Sequence, residues 1–200
     1  VALEEVRLAL EADPNYAPAH NVSALVQMEL KDPQGAERSF RRAMELAPND
    51  PDVNHNFGWF LCQNGREGDS LRYFMAAAGN PLYPTPAKSY ATAGVCLARL
   101  KRDAEAIANY ERALALDPNY APAALPLARL YMQRGALDQA RTLMTRMNNT
   151  LQPSAESLWV ALNIERRRGD AQAEESLAAQ LRRRFPDARE TQALQRGQFE

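Results

Sequence analysis

Histidine and cysteine each occur only twice in 200 residues, and the formal net charge is −1. A metal centre needs several converging ligands, and a catalytic triad needs a nucleophile held against its base. His20 and His55 are the only imidazoles on offer, and no glycine-rich phosphate loop, H-x-E or G-x-S-x-G element appears. The carboxylates are plentiful but fall on the outer faces of helical patterns. These absences argue against an enzyme, a resident metal and a cofactor. A near-neutral charge likewise gives no sign of nucleic acid or of an anionic membrane. The triplets Arg166–Arg168 and Arg182–Arg184 look basic alone, but residues 155–200 hold eight Arg against eight Asp plus Glu, so both read as solvated helix ends. No apolar run approaches the ~20 residues needed to span a bilayer, and no signal peptide is visible. The chain opens at "VALEEVRLALEADPNY", with Leu3, Val6 and Leu10 already at helical spacing. That opening predicts an upstream segment and an apolar strip on residues 1–13 able to support end-to-end association.

What is present is a period. Pro14 and Pro48 lie 34 residues apart, a further 34 reaches Leu82 in the cluster Pro81, Pro84 and Pro86, and 36 more reaches Pro118. Another 34 reaches Gln152 beside Pro153, and 34 more reaches Pro186. Within each unit a small residue recurs at Ala24, Gly58, Gly94 and Ala128, with Leu162 deviating. A second small position runs Ala36, Ser70, Ala106 and Ala140, and deviates to Glu174. Four residues later stands a bulky one, at Phe40, Phe74, Tyr110 and Met144, replaced by Ala178 in the last unit. Small residues at facing positions let two helices approach, and the bulky residue fills the gap towards the next pair. A 34-residue helix–turn–helix of this pattern resembles the tetratricopeptide repeat. The expected fold is therefore all-α, one right-handed superhelix of antiparallel helix pairs over residues 1–200. It comprises a half repeat at 1–16, full repeats at 17–50, 51–84, 87–120, 121–154 and 155–188, and a tail at 189–200.

In this family of folds, positions two, five, nine, twelve and thirteen of each unit face a concave groove lined by first helices. In the stretch "NHNFGWFLCQNG" this selects Asp52, His55, Trp59, Cys62 and Gln63, with Asn56 nearby and Asn64–Gly65 closing the hairpin. The neighbouring units supply Asn21, Leu25, Met28 and Glu29, then Lys88, Ala91, Val95, Ala98 and Arg99, then Leu125, Arg129, Met132 and Gln133. Aromatic and methionine contacts among charges of both signs suit a peptide or helix held by apolar anchors. Asn54 and Asn56 serve either a ligand backbone or a bridge between hairpins. Trp59 serves either a partner or packing between hairpins, and the histidines read as packing or groove-edge residues.

Cys62 and Cys96 fall in first helices of adjacent repeats. Neighbouring helices pack about 8–10 Å apart and a disulfide wants Cα atoms about 4.4–6.8 Å apart, so spacing alone leaves open a bridge or two buried thiols.

A more specific pattern combines an Asn-x-Asn-aromatic-Gly-x-Phe-Leu-Cys helix (Asn54–Cys62), a Leu-Tyr-Pro insertion (Leu82–Pro84) and a second Gly-x-Cys helix (Gly94–Cys96). This resembles the PilF/PilW family of type IV pilus biogenesis and stability proteins. The resemblance implies a non-enzymatic adaptor that docks a segment of the pilus secretin, or of another pilus assembly protein, in its groove. It implies a lipoprotein on the periplasmic face of the bacterial outer membrane, although no residue here matches the lipidated cysteine. It also favours the Cys62–Cys96 bridge over two thiols. The alternatives are a cytoplasmic scaffold gripping a carboxylate through Lys88, Arg99 and Asn56, or an accessory repeat domain of a larger enzyme. In the insertion, three prolines make a rigid corner on which Leu82 and Tyr83 fold back as a lid or project to a partner.

Overall fold

The computed structural model describes residues 2–199, with side-chain surroundings over residues 4–199, and shows twelve helices and no strand among them. Residues up to Leu116 form one compact unit and those from Asp117 a second. The first contains α1 (Ala2–Ala12), α2 (Ala17–Glu29), α3 (Pro33–Leu46), α4 (Pro51–Gln63), α5 (Glu67–Ala78), α6 (Pro86–Arg99) and α7 (Asp103–Leu116). The second contains α8 (Ala121–Gln133), α9 (Leu137–Thr150), α10 (Ala155–Arg168), α11 (Ala171–Arg184) and α12 (Arg189–Gln195). Successive helices pair as hairpins α2–α3, α4–α5, α6–α7, α8–α9 and α10–α11.

Local chemistry starts and stops these helices. Pro33 and Pro51 occupy first-turn positions where a missing N–H costs nothing, and the Asp32 and Asp50 carboxylates each accept from a free amide, of Gly35 and Val53, at 2.9 Å. Inside every hairpin the chain reverses through a residue with positive φ, at Lys31, Gly65, Lys101, Gly135 and Gly169. Glycine takes that conformation freely, whereas a lysine bears a cost of about 1–2 kcal/mol there. The turn geometry is therefore imposed by the packing of the two helices.

That packing is the alternation of small and large residues. A Cβ added to Gly58 would lie 3.0 Å from the Phe74 ring, and one added to Gly94 would lie 2.7 Å from the Tyr110 ring. Each aromatic thus presses on the backbone of its own hairpin's first helix. Phe40 also reaches forward, with ring centroids 5.7 Å and 5.5 Å from Phe57 and Phe60 of the following hairpin. In the last repeat the volumes are exchanged: Leu162 is fully buried in the first helix and the small residue, Ala178, sits in the second.

The strip foreseen on residues 1–13 is not formed as expected. Val6 is buried and Leu10 half-buried, because α1 packs on α2, whereas Leu8 is exposed; the Leu3 side chain lies outside the described residues. The stretch 189–200 also holds more than a tail, since α12 packs on both α10 and α11 and buries Thr191.

Replacing Gly94 by Ala should cost about 1–3 kcal/mol, because the Tyr110 ring is clamped and the new methyl would overpack the contact. The denaturation midpoint in urea measures this, and an unchanged midpoint would show that the close approach is not needed.

Candidate functional site

In the first unit, α4 lies against both α2 and α6, and polar side chains join across the two gaps. Asn56 Nδ2 donates to Asn21 Oδ1 at 3.3 Å, linking α4 to α2. Arg99 reaches from α6 to α4, donating to the Cys62 carbonyl at 3.1 Å and to Gln63 Oε1 at 3.4 Å. Its guanidinium also lies 5.9 Å from the centre of the Trp59 ring, an attractive cation–π arrangement. Trp59, Gln63 and Arg99 thus form one cluster, with Asp52 and Lys88 exposed near the helix starts. Trp59 is half-buried and packs on the core cluster of Cys62, Phe74, Ala93 and Cys96, so one side of the indole is structural and the other open. Arg99 is engaged by a carbonyl and an amide.

Three of the polar positions serve the scaffold instead. Asn54 is buried and its amide donates to the carbonyls of Pro48 and Asp50, both at 2.8 Å. His20, 34 residues earlier, makes the equivalent bond to the Pro14 carbonyl at 2.9 Å. Each ties its helix to the loop before it. His55, expected in the groove, is only 4% exposed and faces the interior. The Asn80 side chain accepts from the Leu82 amide at 2.9 Å and donates to the Asn49 carbonyl at 3.0 Å, setting the corner so that Tyr83 turns inward. The His55 ring then lies between Phe74 and Tyr83, with Nδ1 hydrogen-bonded to Ser89 Oγ at 2.8 Å. Burial, aided by the positive charge of Lys88, pushes its pKa down to about 4. Leu82, next to the buried Tyr83, is 85% exposed, so the two halves of the foreseen lid part company. Met28 is likewise half-buried against the Phe40, Phe57 and Phe60 cluster.

Cys62 and Cys96 are joined by a disulfide, with Cα atoms 6.0 Å apart and both residues fully buried. The short side chain of Ala93 packs in the same buried cluster as both cysteines and Phe74, where α6 meets α4. The bridge closes a loop with a sequence separation of 34, a constraint worth about 3–4 kcal/mol in the chain-entropy account.

The second unit has its own first-helix face, on which the expected Arg129 stands. A cleft of about 290 Å³ is lined by Arg129, Met132, Gln133, Trp159, Asn163 and Arg167. Arg129 pairs with Glu156 at 2.9 Å and Arg167 donates to the Met132 carbonyl at 3.2 Å. Trp159, Asn163, Arg166 and Arg167 occupy positions five, nine, twelve and thirteen of the repeat beginning at residue 155. Extending the same positional rule by one unit would have found them. Nor is the triplet Arg166–Arg168 merely solvated, since Arg168 pairs with Asp138 and with the buried Glu165.

Helix pairs of 34 residues with this size alternation define a tetratricopeptide-repeat protein, and tetratricopeptide-repeat family profiles match residues 17–50 and 97–159. A crystal structure of "PilW, widely conserved type IV pilus biogenesis factor" superposes with a TM-score of 0.84 at 33% identity, covering 96% of this chain and 88% of that one. The structure from "Functional Characterization of Pseudomonas Aeruginosa pilF" gives a TM-score of 0.81 at 26% identity, over 96% and 86% of the two chains. By sequence, the type IV pilus assembly protein PilF of Pseudomonas aeruginosa is 27% identical over 190 residues, 95% of this chain and 75% of that protein. The chain belongs to the PilF/PilW family of type IV pilus biogenesis proteins.

The buried His55 makes stability depend on pH. Its folded pKa is about 4 against an ordinary 6.5, so below 6.5 the unfolded chain takes up a proton that the folded chain refuses. Stability is therefore full above that value and falls as the pH approaches 4. Between about pH 7.5 and pH 5 this group should remove about 1–2 kcal/mol, read from urea midpoints. His55→Gln should flatten that dependence, and an equal slope in the variant would assign the loss to other groups.

Proposed function

We propose that the chain is a non-enzymatic adaptor of type IV pilus biogenesis that holds a segment of the pilus secretin, or of another pilus assembly protein, on the first-helix face around Trp59, Gln63 and Arg99. The observation that carries this reading is the 33% identity, over most of both chains, to a protein described as a type IV pilus biogenesis factor. The face fits the role: an indole with one open side, an amide and a guanidinium offer an apolar anchor and hydrogen bonds to a peptide backbone. No helix among the described residues is long and apolar enough to cross a membrane. A buried disulfide suits an oxidising compartment, in keeping with work on the periplasmic side of the outer membrane, where a lipid anchor on the parent protein would hold it.

The test is made in the source bacterium with the gene deleted, by measuring SDS-resistant secretin multimer in the outer membrane. Loss of multimer with monomer retained, restored by the wild-type gene but not by an Arg99→Glu, Gln63→Ala double variant of unchanged melting temperature, is the expected result. Normal multimer with surface pili lost would move the role to pilus stability, and no change in either would overturn the pilus assignment.

A further inference from the structure

The segment after α12 does something the repeats do not require. Gly197, at φ +66°, ends the helix, the Gln198 amide donates to the Ala193 carbonyl at 2.9 Å, and the chain turns back across α10. There the Phe199 ring stacks on Trp159, with centroids 5.6 Å apart and planes 11° from parallel. The Arg166 guanidinium stands 3.3 Å from the centre of the same ring. Phe199 stays half-buried, so this contact contributes little to the core. It fills the position that the repeat pattern reserves for a ligand, because Trp159 and Arg166 stand at the groove-facing fifth and twelfth positions of their repeat.

The surroundings of that ring are basic. A cleft of about 440 Å³ beside Trp159 carries Arg129, Arg189 and Arg196 against a single carboxylate, Glu190, and the adjoining cleft adds Arg167. Arg129 is met by Glu156 and Arg166 by Glu174 at 3.7 Å, but Arg189 and Arg196 form no ion pair among the described residues. Two guanidinium groups without an ion-pair partner among the described residues, beside an aromatic slot, complement a peptide that brings an aromatic ring and carboxylates together. Phe199, which occupies the slot, is followed in the sequence by an acidic residue, so the chain itself pairs an aromatic residue with an acidic one.

We propose that the first-helix face of the second unit is a docking site for an extended acidic peptide bearing an aromatic residue, and that Phe199 is its built-in competitor. The partner's ring takes the slot between Trp159 and Arg166, its carboxylates pair with Arg189 and Arg196, and Phe199 is displaced. Because the occupied fraction is closed to the partner, the apparent affinity is lowered by the share of molecules in which Phe199 is seated. The site is separate from the Trp59 face and does not rest on the pilus reading.

The experiment uses the full chain and two fluorescein-labelled octapeptides, Gly-Ser-Glu-Phe-Glu-Glu-Gly-Ser and its twin with Ala for Phe, followed by anisotropy at low salt. Phe199→Ala should bind the first peptide about fivefold to tenfold more tightly than wild type, as removing one ring–indole and cation–π contact implies. Adding Arg189→Glu, on an exposed residue, should weaken binding about tenfold, and the alanine twin should gain nothing from Phe199→Ala. Melting curves verify that both variants are folded. Equal or weaker binding by Phe199→Ala, equal binding of the two peptides, or no binding to any variant would each overturn the proposal.

Discussion

The contact between a missing side chain and an aromatic ring governs most of what the first unit presents to a partner. Gly58 and Gly94 let Phe74 and Tyr110 rest almost on the backbone of the opposing helix, which draws each hairpin tight and leaves the far edge of the ring for the next one. Phe74 in this way joins α4, α5 and α6 through Cys62, Ala93 and Cys96. The core of each hairpin follows from that approach. A longer side chain at Gly58 would press on Phe74 and one at Gly94 on Tyr110, and either would push the two helices of its hairpin apart.

Polar residues on such a scaffold divide by what they reach. Asn54 and His20 look like ligands for a peptide, but both are committed to carbonyls of the preceding loop. Those bonds hold the loop in place, and burying an unpaired carbonyl in their absence would be costly. Asn56, Gln63 and Arg99 bond across to neighbouring helices at longer distances, 3.1–3.5 Å, and stay nearer the surface. Those bonds can be exchanged for bonds to a ligand at small net cost, which is what separates a binding surface from a structural staple.

The fold was legible because its period is physical: small residues eight and twenty positions into a unit and a bulky one at twenty-four describe two helices in contact. The last repeat deviates from the pattern in sequence, yet Leu162 and Ala178 are both buried, so bulk has changed helices without leaving the core. The groove was less legible. A positional rule assumes that nothing covers the helix, and His55 obeys it in sequence but is covered by Tyr83 from an insertion that has no counterpart in the other repeats. Trp159 obeys the same rule and needed only one more unit. Phe199 lies beyond the last period, where no spacing argument applies, and its place against Trp159 depends on the turn at Gly197.

The Cys62–Cys96 bridge joins nearly equivalent points of successive hairpins and so encloses one whole repeat length of chain, including the exposed corner at Leu82. A peptide bond cut anywhere inside that ring leaves two pieces that remain one molecule, held by sulfur as well as by packing. The exposed corner at Leu82 is therefore also a place where a protease can cut without releasing either piece. Such a nicked chain would run as intact protein until a reductant separated its halves.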